Sequence, residues 1–208
     1  MVKHIIFEGI NRSGKSTQIE MLSNRLTADG IKHVTVKEPG YTETGSKLRE
    51  IIMQGDILPE TELLLFVADR IETSQWVEWH LSNGYWVLQD RRYISTYAYQ
   101  QDAREAAIDM LQSLFPPVYP DYFVWVQVGI RDAKDRGSED RFDRDMAREI
   151  EAHSRYYEMF KNNRCTKAPK RTPVITVDGS QDAGKIHSQI WGMLFPERTM
   201  TYGLVNDT

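Results

Sequence analysis

The sequence has one cysteine, Cys165, among 208 residues. No disulfide can close within the chain, which fits a reducing compartment. There is no apolar run near the ~20 residues that a bilayer-spanning helix needs. The opening stretch, MVKHIIFEG, is far too short for the apolar core of a signal peptide. The expectation is a cytoplasmic protein with no membrane partner. A cationic excess is missing too: 26 Lys and Arg stand against 30 Asp and Glu, for a net charge of −4. That argues against a nucleic-acid polymer as partner, because phosphate backbones are held largely by clustered cations. The basic stretch KNNRCTKAPKR (161–171) is the local exception and reads as a solvated loop between a helix and a strand. Repeats, low-complexity tracts and linkers are absent as well, and 208 residues make one well-cored domain, 1–208, the expectation.

What the chain does have is an alternation of short apolar runs with longer helical stretches. KHIIFEG (3–9), KHVTVKE (32–38), GYWVLQD (84–90), YFVWVQV (122–128) and PVITVDG (173–179) read as five strands. From Ser16, the residues Ile19, Leu22 and Leu26 recur at helical spacing until Gly30 supplies a stop. TETGSKLREIIMQG reads as a loop and short helix, and Pro59 opens a long helix running to about Ser82. Strands separated by helices imply crossovers and a parallel sheet covered on both faces, an α/β three-layer sandwich. IIF, YWVL and YFVWV agree, being continuously apolar rather than alternating. The tail after Phe195 has no strong pattern.

Between the first strand and the first helix, Gly9 to Ser16 matches GxxxxGKS. Glycines let the backbone curl so that successive N–H groups point inward, and the helix start adds partial positive charge, so the loop is an anion cradle. Lys15 would reach the β- and γ-phosphates of a nucleoside triphosphate, and the Ser16 hydroxyl would be a Mg²⁺ ligand. Further polar clusters follow the later strands: Lys37, Glu38, Pro39 and Gly40; Asp90 and Arg91; and RDAKDRGSEDRFDR. In an open parallel sheet the carboxyl edge is where ligands bind. Phe66 and Arg70, at i and i+4 in LLLFVADR, share a helix face. Periodicity alone leaves two readings: a ring and guanidinium that take a base, or a core phenylalanine beside a surface Asp69–Arg70 pair.

Taken together, FEGINRSGKSTQ, KEPG, LLFVADR, DRRYISTYAYQ and DRFD resemble the thymidylate kinase family, in its order and nearly its separations, over roughly residues 3–145. The resemblance implies a P-loop nucleoside monophosphate kinase fold, ATP as phosphoryl donor, Mg²⁺ as cofactor, dTMP as acceptor and a homodimer formed through the long helix. It implies that Gly9, Asn11, Arg12, Ser13, Gly14, Lys15, Ser16 and Thr17 hold the ATP phosphates. A lid at about 131–143 would close over them, with Arg136 and Arg141 as its basic groups. Phe66 would stack on thymine and Arg70 would bond its carbonyl. Arg91, with Lys37 and Pro39, would hold the acceptor monophosphate. Ser95, Thr96 and Gln100 would lie along base and sugar, and Tyr99 would fill the space of a ribose 2′-hydroxyl. Asp90 would anchor the Mg²⁺ shell through water. Arg12 is the leading candidate for the transition-state cation, and Lys15, Asp90, Arg91 and Arg141 complete the catalytic set.

Departures from the family pattern cluster on the acceptor side. Asn11, which the resemblance also makes a substrate-binding residue, replaces an acidic residue facing the acceptor sugar, where an amide can still hydrogen-bond a 3′-hydroxyl; Lys37 replaces an arginine, Arg92 a tyrosine and Tyr41 a glycine, and the lid is about a turn shorter. An amide brings no charge, and a lysine offers a point charge where arginine offers a fork. Arg92 is expected to add a cation close to the monophosphate. These changes suggest an altered or broadened acceptor scope, toward dUMP or a 5-substituted relative. Two other readings remain open: a deoxynucleoside kinase and a non-catalytic nucleotide-binding protein of the same fold. Trp76 and Trp79 fit either the dimer interface or the core.

Overall fold

In the computed structural model, the described residues are 2–100, 108, 110, 118–136, 146–163, 165, 167 and 172–197. The elements run β1 His4–Glu8, α1 Lys15–Ala28, β2 His33–Lys37, α2 Glu43–Gln54, α3 Pro59–Ser82, β3 Trp86–Asp90, α4 Tyr93–Tyr99, β4 Tyr122–Gln127, α5 Ile130–Asp135, α6 Met146–Phe160, β5 Val174–Asp178 and α7 Ala183–Leu194. The five strands form one parallel sheet in the order β2-β3-β1-β4-β5. All five expected strands are present within two residues, and α3 has the expected bounds. The expected short helix after β2 is a 12-residue α2, started by the Thr42 hydroxyl, which accepts from the Gly45 N–H.

Three layers follow from the side-chain alternation of β1. Ile5 and Phe7 pack on one face with Leu22 and Leu26 of α1 and Ile190 and Trp191 of α7. Ile6, between them, packs on the other with Tyr93 and Ile94 of α4 and Tyr156 and Phe160 of α6. Ile5, Ile6 and Phe7 are fully buried, and each is worth about 1.5–3 kcal/mol of transfer free energy. A strand buried on both faces explains its unbroken apolar run.

This arrangement fixes where chemistry can occur. With β1 central, its carboxyl end lies between those of β3 and β4, where the strand order reverses. Gly9 makes the turn at φ 143°, and a Cβ there would stand 2.6 Å from the Val126 carbonyl oxygen of β4, so no other residue fits. No helix among the described residues is long and apolar enough to cross a membrane.

Candidate active site

The loop after β1 leads into α1 through Gly14, which takes φ 103° and offers no side-chain cap. By contrast, Asp182 caps α7 through the Gly184 and Lys185 N–H groups. The start of α1 is thus left to a ligand anion. Lys15 is buried and folds back on its own loop, donating to the carbonyl oxygens of Gly9 at 3.1 Å and Ile10 at 2.8 Å. Burial lowers its pKa to about 7; Arg91 adds to this, while Asp90, Glu8 and Glu149 oppose it.

Two cavities meet at this loop. One, of about 450 Å³, is lined by residues 12–18, Arg136, Gly179, Gln181, Ala183 and Ile186. The other, of about 200 Å³, is walled by Lys37, Pro39, Phe66, Arg70, Arg91, Thr96, Tyr99 and Gln100 among others. Arg12, Lys15 and Ser16 line both. Of the residues implied by the resemblance, Ser13, Gly14, Thr17 and Arg136 fall in the larger cavity and Asn11 and Ser95 in the smaller. Arg136 bridges the larger one, donating to the carbonyl oxygens of Arg12 at 2.9 Å and Gly179 at 2.6 Å. Arg141 and most of the expected lid lie outside the described residues.

Arg12 and Arg91 both sit in the left-handed region, at φ 60° and 67°. For residues with a Cβ this is costly, and it persists where a site demands it. Arg12 Nη1 donates to the Lys134 carbonyl at 3.2 Å. Arg91 is held by a relay: it donates to Asn11 Oδ1 at 2.6 Å, Ser95 Oγ at 3.1 Å and the Tyr156 hydroxyl at 3.3 Å. Ser95 and Tyr156 in turn donate to the buried carboxylate of Glu8, at 2.7 and 2.8 Å. Burial raises the Glu8 pKa, and Arg91 and these donors oppose the rise.

Ser16 Oγ donates to Asp90 Oδ2 at 3.2 Å across the ends of α1 and β3. Asp90 Oδ1 is buried with no partner among the described residues. A hydroxyl beside a carboxylate with an unused oxygen suits a hard divalent cation that keeps several waters, so these residues fit Mg²⁺.

At the far end of the smaller cavity, Arg70 is neither exposed nor paired with Asp69. Its Nε donates to Glu38 Oε2 at 3.1 Å and its Nη2 to Thr96 Oγ1 at 2.8 Å. Its Nη1 is buried without a partner among the described residues, leaving a donor for a ligand carbonyl. Asp69 instead accepts from the Gly40 N–H at 2.9 Å, and burial, helped by Glu38, lifts its pKa to about 6. Arg92 lines this cavity as well, as expected of a cation near the acceptor, but its buried guanidinium donates to Glu38 at 3.5 Å and Ser74 at 3.0 Å, the ends of β2 and β3 being neighbours. Trp76 and Trp79 are about half exposed, which removes the core reading.

Sequence reasoning missed Glu8, Arg49, Glu149 and Tyr156. Arg49 of α2 lines the smaller cavity and donates to the Pro39 carbonyl at 3.3 Å; nothing in the pattern singles it out. Glu149 carries a readable signal, since it shares the apolar stripe of α6 with Ala152, Tyr156, Met159 and Phe160.

Comparison with known proteins agrees with this geometry. A family model described as thymidylate kinase matches residues 7–190. The chain is 34% identical over 203 residues to the thymidylate kinase of Carboxydothermus hydrogenoformans, covering 92% of this chain and 96% of that one. It is 31% identical over 194 residues to that of Thermosipho africanus (89% and 94% covered) and 32% identical over 192 residues to that of Fervidobacterium nodosum (89% and 95% covered).

Proposed function

The chain belongs to the thymidylate kinase family of ATP-dependent kinases, and on that premise we propose that it passes the γ-phosphoryl group of ATP to dTMP along the two joined cavities. The observation that carries this reading is that Arg12, Lys15 and Ser16 line both cavities, so two nucleotides entering from opposite sides would meet phosphate to phosphate over the loop. ATP takes the larger cavity, with its phosphates on residues 9–17 and Arg136 beside its base. In the smaller one, thymine stacks on Phe66 and its carbonyl meets Arg70. The deoxyribose lies against Asn11 and Tyr99, and the monophosphate is held by Arg91 and Lys37. Pro39, Ser95, Thr96 and Gln100 complete the wall.

An oxygen of the acceptor phosphate forms the new bond to the γ-phosphorus while the bond to the β-bridging oxygen breaks. The acceptor oxygen is already anionic, so no base is required, and catalysis rests on positioning and charge neutralisation by Arg12, Lys15 and Arg91. Mg²⁺, held by Ser16 and through water by Asp90, would neutralise charge on the donor phosphates. The left-handed backbone at Arg12 supports its role as the transition-state cation. A deoxynucleoside kinase would need a carboxylate ready to take a 5′-hydroxyl proton. Here Glu38 is bound to two arginines, Asp90 accepts from Ser16 at the proposed Mg²⁺ site, and Glu149 is set back behind Asn11.

Acceptor scope extends beyond dTMP in this reading, because Lys37 offers the monophosphate a point charge and orients it less tightly than an arginine fork would. The chain acts as one domain in the cytoplasm and pairs through α3, whose Leu64, Trp76 and Trp79 are exposed; light scattering at a monomer mass would remove the pairing. Steady-state kinetics with dTMP, dUMP, dGMP, UMP and thymidine test the rest. ADP formation with dTMP is expected, dUMP should follow within ~100-fold, and thymidine should be inert. No turnover of dTMP would overturn the reading, and turnover of dTMP alone would remove the broadened scope.

A further inference from the structure

Glu149 lies behind the acceptor cavity, where it touches the wall rather than the space. Its Oε1 accepts from Asn11 Nδ2 at 2.8 Å, and its Oε2 accepts from the Asn11 N–H at 3.2 Å and the Tyr99 hydroxyl at 3.0 Å. Asn11 and Tyr99 both line the acceptor cavity, whereas Glu149 lines a small neighbouring one with Ile10 and Met146. Three donors converge on one carboxylate that is nearly buried. On its other side, Asn11 Oδ1 accepts from Arg91 at 2.6 Å. Arg91 can only donate and Glu149, ionised, can only accept, so the amide has one orientation that satisfies both ends. Turning it over would set NH₂ against guanidinium and oxygen against carboxylate.

We propose that Glu149 is a positioning residue that fixes the Asn11 carboxamide with its carbonyl oxygen toward Arg91 and the acceptor sugar, and so sets the enzyme's preference for a 3′-hydroxyl. The loop residue supplies the oriented acceptor, and the negative charge behind it comes from α6. The inference rests on the proposed reading of the smaller cavity as the deoxynucleotide site. It also explains why a neutral residue serves at position 11: a carboxylate there would stand within hydrogen-bond distance of Glu149, and one of the two would have to take up a proton.

The test is a polarity swap read on two acceptors, dTMP and its 3′-deoxy analogue. In Glu149→Gln, whichever end carries the NH₂ faces a donor of Asn11, so the amide loses its fixed orientation. kcat/KM for dTMP should fall roughly 10- to 100-fold, as for a lost charge-assisted hydrogen bond. The analogue should fall far less, so the ratio between the two acceptors drops. Asn11→Asp should also lose activity with dTMP. Combining the two changes puts the carboxylate on the loop and the amide on the helix, with every donor again matched, and should bring both kcat/KM and the ratio back to within roughly threefold of the wild type. An unchanged Glu149→Gln, an equal loss with both acceptors, or a double variant no better than the poorer single would each overturn the inference. A wild type that does not phosphorylate dTMP would bring down the functional reading as well, which separates the two failures.

Discussion

Glu38 is the sharpest place to test the physical account of the acceptor site. It is 4% exposed and sits between two buried guanidinium groups, Arg70 on α3 and Arg92 before α4, with Gln89 Nε2 donating to it at 2.7 Å. Burial lowers the Arg92 pKa, Glu38 opposes that and Arg70 adds to it, so the carboxylate is what lets two cations share this pocket. Glu38→Gln keeps the shape and removes the charge. Breaking a buried pair from one side costs about 3 kcal/mol or more. At roughly 2–4 °C per kcal/mol for a chain of this size, the melting temperature should fall ~6–12 °C. KM for dTMP should rise about tenfold with KM for ATP little changed, since Arg70 belongs to the acceptor cavity alone. The control is Glu43→Gln, the same chemical change in an ion pair with Lys47 whose glutamate side chain is 88% exposed; it should shift melting by no more than ~2 °C. Thermal scans of the three proteins decide the matter. If Glu38→Gln and Glu43→Gln melt within 2 °C of each other, burial and pairing do not govern this site as argued.

Arg12→Ala should lower kcat ~10³-fold or more with both KM values within several-fold, measured by coupled ADP release; a loss under tenfold would place the transition-state cation elsewhere. Lys15 has a lowered pKa, about 7, so above that pH the folded protein has released a proton that the unfolded chain keeps. The nucleotide-free protein should therefore gain stability between pH 7 and about 10, while ATP, which restores the charge, should bind with proton uptake and more weakly as pH rises. Calorimetry at pH 8 in buffers of different ionisation enthalpy checks this, and zero uptake refutes it. Gly179→Ala would set a Cβ 2.7 Å from the Ser13 carbonyl oxygen and 3.0 Å from that of Gln127, both backbone atoms. It should cost about 1–3 kcal/mol in denaturant melts and raise KM for ATP more than KM for dTMP.

The fold was legible because its signals are local. Each strand is an apolar run bounded by turn residues, and Pro59 and Gly30 mark a helix start and stop that the backbone obeys, Gly30 at φ 69°. The phosphate loop was legible for the same reason, since a strand, a glycine turn and a helix start are contiguous in sequence. Phe66 and Arg70 were half legible: helical spacing put them on one face, but nothing within that helix could say that Asp69 would bond to Gly40, leaving Arg70 for Glu38 and Thr96.

What sequence could not give is which charge answers which across the carboxyl rim. Lys37, Arg70, Arg91 and Arg92 look alike as cations after parallel strands or on the helix beside them, yet Arg92 is spent on Glu38 and Arg91 is propped by Glu8 through Ser95 and Tyr156. These pairings depend on β1, β2 and β3 lying side by side, a fact of sheet order rather than of spacing. The same limit applies to Asn11. Read along the chain, it is a lost carboxylate and a weakened site. In the fold, a carboxylate stands hydrogen-bonded to it from 138 positions away, on the apolar stripe of a helix. A buried acid among apolar neighbours is costly unless something holds it, so its place on that stripe was itself the sign that a polar partner faced it.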